Sequence, residues 1–134
     1  MASILKVDAM QGVTSAGDIT VTDGAATFNM QSGLNKMWIA YDGVNNSVFA
    51  SLNVGSVTDN GTGNYTYNFS NNFNAAEEYS SAMSVVLQSS PSMGSYTTHG
   101  DATTTGVKVH PSRNTSGTNL DVNNTTMNCC GDLA

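Results

Sequence analysis

A chain of 134 residues in which only 10% are charged and the formal net charge is −6 has room for one domain and a short appended segment. Four Lys and Arg against ten Asp and Glu disfavour nucleic acid, because neutralising a phosphate backbone takes clustered cations that this chain lacks. No run approaches the roughly 20 apolar residues that span a bilayer, so no membrane insertion is expected.

The stretch 1–33 breaks often. Ile4, Val7 and Met10 precede the Gly12 to Gly17 region, and Ile19 and Val21, the Asp23-Gly24 turn, Ala26 and Phe28 follow. Each piece is too short to hold a core alone, since a lone hairpin is marginal in water. The expectation is an N-terminal β-rich docking or trimerising segment, 1–33, whose apolar residues Ile4, Val7, Ile19, Val21 and Phe28 meet other copies or a carrier particle.

From Leu34 the strand signal strengthens. Met37, Ile39 and Tyr41 alternate with Trp38 and Ala40, so both faces of this strand are apolar and burial on two sides is expected, with Met37 and Trp38 counted among the oligomer or docking contacts. Asp42-Gly43 and Asn45-Asn46 mark a turn before the segment Val48 to Val54, and Val54 to Thr58 then reads as the first strand of a hairpin. Asn60-Gly61 predicts a two-residue hairpin turn, because both residues tolerate positive φ. Beyond it Tyr65, Tyr67 and Phe69 alternate with Thr66 and Asn68, which makes one face aromatic and the other polar. A polar loop over 70–78 carries one helical turn at Ala75 to Glu78. A core strand from Tyr79 to Gln88, a long loop from Ser89 to Gly100, a half-exposed strand from Thr103 to His110, a turn from Arg113 to Asn119, and closing segments 120–122 and 126–130 complete the chain. Short strands at regular spacing with no amphipathic helix predict an all-β fold, an antiparallel β-sandwich or jelly-roll-like knob over 34–134.

Adjacent Cys129 and Cys130 would form only a strained ring, so both thiols are expected reduced, with one packed inward. A metal would need further ligands at suitable spacing. Asp42, Asp59 and Asn60 suggest calcium, but the pattern lacks a distal bidentate Glu and turn formation explains it. His99, His110 and Asp101 with a serine could be drawn as a triad; no nucleophile elbow accompanies them. Glu77-Glu78 are adjacent and cannot face each other across a glycosidic bond. No catalytic residue, metal or cofactor is therefore assigned. Loops 70–78, 89–101 and 111–119 hold Tyr96, His99 and Arg113 among Asn, Ser and Thr, a mixture able to hydrogen-bond a sugar and stack on it.

Ser, Thr, Asn and Gly supply the polarity that charges usually supply, which suits a surface exposed outside a cell. The opening Met1 to Met10 nonetheless lacks the basic run and apolar block of a secretory signal. Synthesis in a host cytoplasm and release by lysis on a particle reconciles the two.

The succession Gly33-Leu34-Asn35-Lys36-Met37-Trp38-Ile39, Tyr41-Asp42-Gly43, Phe49-Ala50-Ser51-Leu52-Asn53-Val54 and Thr58-Asp59-Asn60-Gly61-Thr62-Gly63-Asn64-Tyr65-Thr66-Tyr67-Asn68-Phe69 resembles a domain found at the C-terminal end of tail-fibre and other appendage proteins of bacteriophages, many of them marine. The likeness is close over 33–69 and looser elsewhere. Asn64 stands where an acidic residue is commoner, and Cys129-Cys130 stand where the terminal strand is usually aliphatic or aromatic. The resemblance implies a virion surface protein, a small head fibre, knob or decoration protein; with the short strands of 1–33, which three wrapped copies would stabilise, the expectation is a non-enzymatic homotrimeric structural protein contacting other capsid or tail proteins. The alternative is a receptor-binding tip that recognises host cell-surface glycan.

Overall fold

The computed structural model describes residues 9, 19–23, 25–86, 95–113 and 119–134. The chain divides into two compact units, Met1–Leu34 and Asn35–Ala134.

In the first unit, β1 (Thr20–Asp23) pairs antiparallel with β2 (Ala26–Asn29), Val21 opposite Phe28, and a helical turn, α1 (Met30–Gly33), follows. Met30 N donates to Ile19 O at 2.7 Å and ties the start of α1 to the residue before β1. Ile19 and Val21 are half-buried. Ile4 and Val7 lie outside the described residues, as does the Phe28 side chain.

The second unit is an all-β antiparallel sandwich of two four-stranded sheets. One sheet has the order β4-β3-β10-β7, formed by β3 (Asn35–Asp42), β4 (Ser47–Leu52), β7 (Ser80–Val86) and β10 (Asn124–Cys130). The other has the order β5-β6-β9-β8, formed by β5 (Val54–Asp59), β6 (Tyr65–Phe69), β8 (Ser95–Thr103) and β9 (Gly106–Arg113). The segment read over 48–54 and the hairpin strand read from Val54 are β4 and β5, with Asn53 between them. Asn53 takes φ 58°, which an asparagine tolerates, and the chain turns there from one sheet into the other. Asn53 Oδ1 accepts from Asn71 N at 2.7 Å and pins that corner to the loop after β6.

Period-2 alternation does the rest. Met37, Ile39 and Tyr41 from β3, Tyr65, Tyr67 and Phe69 from β6, Val107 and Val109 from β9, and Met127 and Cys129 from β10 point between the sheets and are buried. Tyr41 meets Tyr65 edge-on with centroids 5.0 Å apart, and Phe69, Phe73 and Tyr79 make a second aromatic group, Phe69–Phe73 also at 5.0 Å. Met37 corrects an expectation, because a side chain with 0% exposure is spent on this core and cannot be a docking contact.

The β5–β6 connection is longer than the two-residue turn predicted. Asn60 N donates to Asn64 O at 2.8 Å, and the positive φ values fall on Gly61 (113°) and Gly63 (57°). Gly63 is required twice over, since a Cβ there would also lie 2.4 Å from Leu120 N. The predicted loop 89–100 contains the first six of the nine residues of β8, whose pairing with β9 supplies backbone hydrogen bonds that its Ser, Thr and Gly residues do not advertise. Ala75 to Glu78 form a turn with Glu78 N donating to Ala75 O at 3.4 Å, not a helix.

Candidate functional site

The sheet β4-β3-β10-β7 turns one face to the core and the other outward. Its registers place side chains of the outer face in rows across the strands. Leu52, Trp38, Asn128 and Ala82 form one row; Ala50, Ala40, Thr126 and Ser84 form the next. Trp38 is 38% exposed and Leu52 48%, whereas Ala40 and Ala82 are too short to stand level with the indole. The result is a concavity of about 480 Å³ between Trp38 and the β10–β7 pair, lined on its polar side by Asn35, Asn128, Thr126 and Ser84 and, among the described residues, by no charged one. Asn128 Nδ2 donates to Asn35 Oδ1 at 3.2 Å, and the Cys130 thiol, outward on β10, reaches the same oxygen at 3.0 Å.

The edge of this sheet has a different character. Within β4, Ser-Val-Phe-Ala-Ser-Leu, no residue is charged, and Val48 and Phe49 are 46% and 60% exposed, with Val44 of the preceding turn at 54%. The register shift between Ala40 and Tyr41 leaves Phe49 as the extra residue of a bulge.

One end of the sandwich collects carboxylates. Asp42 accepts from Val44 N at 2.9 Å, Asn45 N at 3.0 Å and Asn45 Nδ2 at 2.7 Å. The Asn45 side-chain amide, then its backbone N–H, hold the Asp42 carboxyl below the usual carboxylate range. Asp59 accepts from Gly61 N at 2.8 Å, and Tyr41 OH donates to Asn46 Oδ1. Asp121 accepts from Gly63 N at 2.7 Å and from Tyr65 OH at 2.5 Å. These carboxylates close turns, and among the described residues no three His, Cys, Asp or Glu side chains are grouped to hold a metal ion.

The residues expected in recognition loops stand on strands instead. Tyr96 and His99 belong to β8 and Arg113 ends β9, with Tyr96 opposite Ser112, His99 opposite Val109 and Arg113 opposite Ser95. The register therefore spreads them along the hairpin and does not gather them at one loop cluster. His110 lies opposite Thr98, one step diagonal to His99. Glu78 Oε2 accepts from Asn74 Nδ2 at 3.1 Å on an exposed loop. From sequence the doubly apolar β3 reads as buried on two sides, and of its two expected contact residues Trp38 is the one left partly exposed. Asn128, Thr126 and Ser84 were not legible beside it, because they reach the same face only through pairings between segments some 40 to 90 residues apart.

No family model matches the chain, and no curated protein and no solved structure matches it either.

Proposed function

We propose that the chain is a non-enzymatic structural protein of a bacteriophage virion, displayed on the particle surface as a homotrimeric small fibre, knob or decoration protein. One observation carries the reading: the uncharged, apolar edge strand β4. Edge strands are normally blunted by charges, Pro or a covering element, since an open apolar edge templates aggregation. β4 has a bulge but no charge, and Val44, Val48 and Phe49 project from it or from the turn before it. Such an edge suits a chain whose copies or neighbours cover it in the assembled state. The phage-like motifs of 33–69 support the same reading, for they supply β3 to β6, the segment that carries this edge.

The test is fractionation of particles from a lysate that expresses the gene. Peptides of this chain should band with the particle at a constant ratio to the major shell protein. Recovery only in the soluble fraction would remove the virion assignment.

A second reading, a tip that recognises host cell-surface glycan, draws support from the outer face around Trp38, where an exposed aromatic adjoins uncharged amides and hydroxyls.

A further inference from the structure

We propose that the outer face of the sheet β4-β3-β10-β7 is a binding site for a neutral saccharide, with Trp38 as its stacking platform. The proposal rests on the glycan-recognition reading and is independent of the virion assignment.

The shape follows from the registers. Neighbouring strands lie about 4.8 Å apart, so Asn128 stands immediately beside Trp38, with Ala82 one strand further on. Short side chains next to the indole, Ala40 and Ala82, leave a trough that the ring walls on one side. Its volume, about 480 Å³, is that of a small-ligand site.

Polar groups select the ligand. Asn128 and Asn35 share one amide-to-amide hydrogen bond of 3.2 Å. That bond uses one amide N–H and one amide oxygen, and it leaves an NH₂ on Asn35 and an oxygen on Asn128. Exchanging O and N in both amides leaves the same complement, one donor group and one acceptor. Adjacent donor and acceptor match vicinal hydroxyls, each of which both donates and accepts. Thr126 and Ser84 supply hydroxyls in the next row. A pyranose also carries a C–H face, which the indole can cover, as aromatic side chains do for amphipathic partners.

Charge removes the competitors. Among the described residues no cation and no carboxylate lines the trough, Lys36 two residues before Trp38 on β3 being outside its lining, so the lining offers phosphate, sulfate, uronate or a cationic ligand no charged partner. A second protein copy laid on this face with apolar side chains would bury the amide donor and acceptor unpaired, which is costly. A neutral polyol with one apolar face satisfies both halves of the site.

Trp38 is the chain's single tryptophan, so its emission reports this face alone. The full chain is titrated with cellohexaose, maltohexaose, mannohexaose and chitohexaose, with heparin as the anionic control. A saturable change in emission with at least one neutral hexasaccharide, and none with heparin, is expected. Calorimetry with that sugar should show Trp38→Ala weakening binding by about tenfold or more and Trp38→Phe retaining most of it. Asn128→Leu should also weaken binding. Unchanged far-ultraviolet circular dichroism shows that each variant has folded. Wild-type binding that Trp38→Ala and Asn128→Leu leave intact would overturn the site and spare the recognition reading. No response to any neutral sugar would overturn both. A preference for heparin would overturn the neutral chemistry, and emission that shifts with protein concentration alone would assign the face to a second copy.

Discussion

The Tyr67 hydroxyl and Thr125 Oγ1 lie 2.8 Å apart between the two sheets, 58 residues apart in sequence and buried. Thr125 spends its single proton on Tyr41 O at 3.2 Å, so Tyr67 is the donor to Thr125. One chain of hydrogen bonds thus ties β6 to β10 and β10 to β3 through an otherwise apolar interior. Tyr67→Phe removes one donor and should cost about 1 kcal/mol. Thr125→Val strands both the Tyr67 hydroxyl and the Tyr41 side of the network, and should cost more, about 2 to 3 kcal/mol. Urea unfolding of the two variants checks the order.

The loop after β5 is held from a distance, with Gly63 N and Tyr65 OH both donating to Asp121 Oδ1. Gly63→Ala meets a φ of 57° and a backbone atom 2.4 Å from the new Cβ. The left-handed conformation alone costs about 1 to 2 kcal/mol for an L side chain, and the clash adds to it. Gly61→Ala, at φ 113° but in open space, should cost less. Thermal melts of the pair separate strain from contact.

Cys129 and Cys130 are neighbours with opposite fates. Alternation buries Cys129 completely and leaves Cys130 outward, and both are free thiols. Burial, then the neighbouring Cys130, pushes the Cys129 thiol up to about 12. The native protein should therefore titrate one thiol with an aromatic disulfide reagent at pH 8 and two after denaturation. Cys130→Ser should abolish the native reaction.

Alkali should unfold the sandwich cooperatively. Desolvation raises the hydroxyls of Tyr41 and Tyr65, and pushes those of Tyr67 and Tyr79 up to about 12. A group whose folded pKa is raised contributes fully below its unfolded value and loses that contribution as pH rises toward the folded one. Free thiols ionise near 8.5 and free phenols near 10, so stability should be level below about pH 8.5 and fall steadily from there to about 12. Asp42 acts in the opposite sense, its contribution present above about pH 4 and lost as acid protonates it. Denaturant midpoints measured from pH 7 to 11.5 trace the alkaline limb.

Strands with strict alternation were legible from sequence. Tyr65, Tyr67 and Phe69 are all buried and Thr66 and Asn68 are not, and the register of β1 with β2 sets Val21 opposite Phe28. What the sequence hid was decided by distant partners. Val48 to Val54 and the hairpin strand from Val54 read as successive strands, but nothing local reveals that Asn53 must turn left-handed so that they enter different sheets. The Ser-Tyr-Thr-Thr-His-Gly run reads as loop because its pairing with β9 comes from outside it. Asn60-Gly61 reads as a tight turn because the Asp121 oxygen that organises Gly63 lies 58 residues on. The outer face suffers most, since six of the ten residues lining the trough beside Trp38 come from β10 and β7.

Copies meeting through the exposed edge strand β4 is the claim on which the functional account stands. Sedimentation equilibrium of the full chain at micromolar concentration should give three times the chain mass. Phe49→Asp, which places a charge on the bulged edge at a 60%-exposed position outside the core, should give the single-chain mass with the fold intact. A wild-type chain that stays single across that range, with Phe49→Asp indistinguishable from it, would contradict the account.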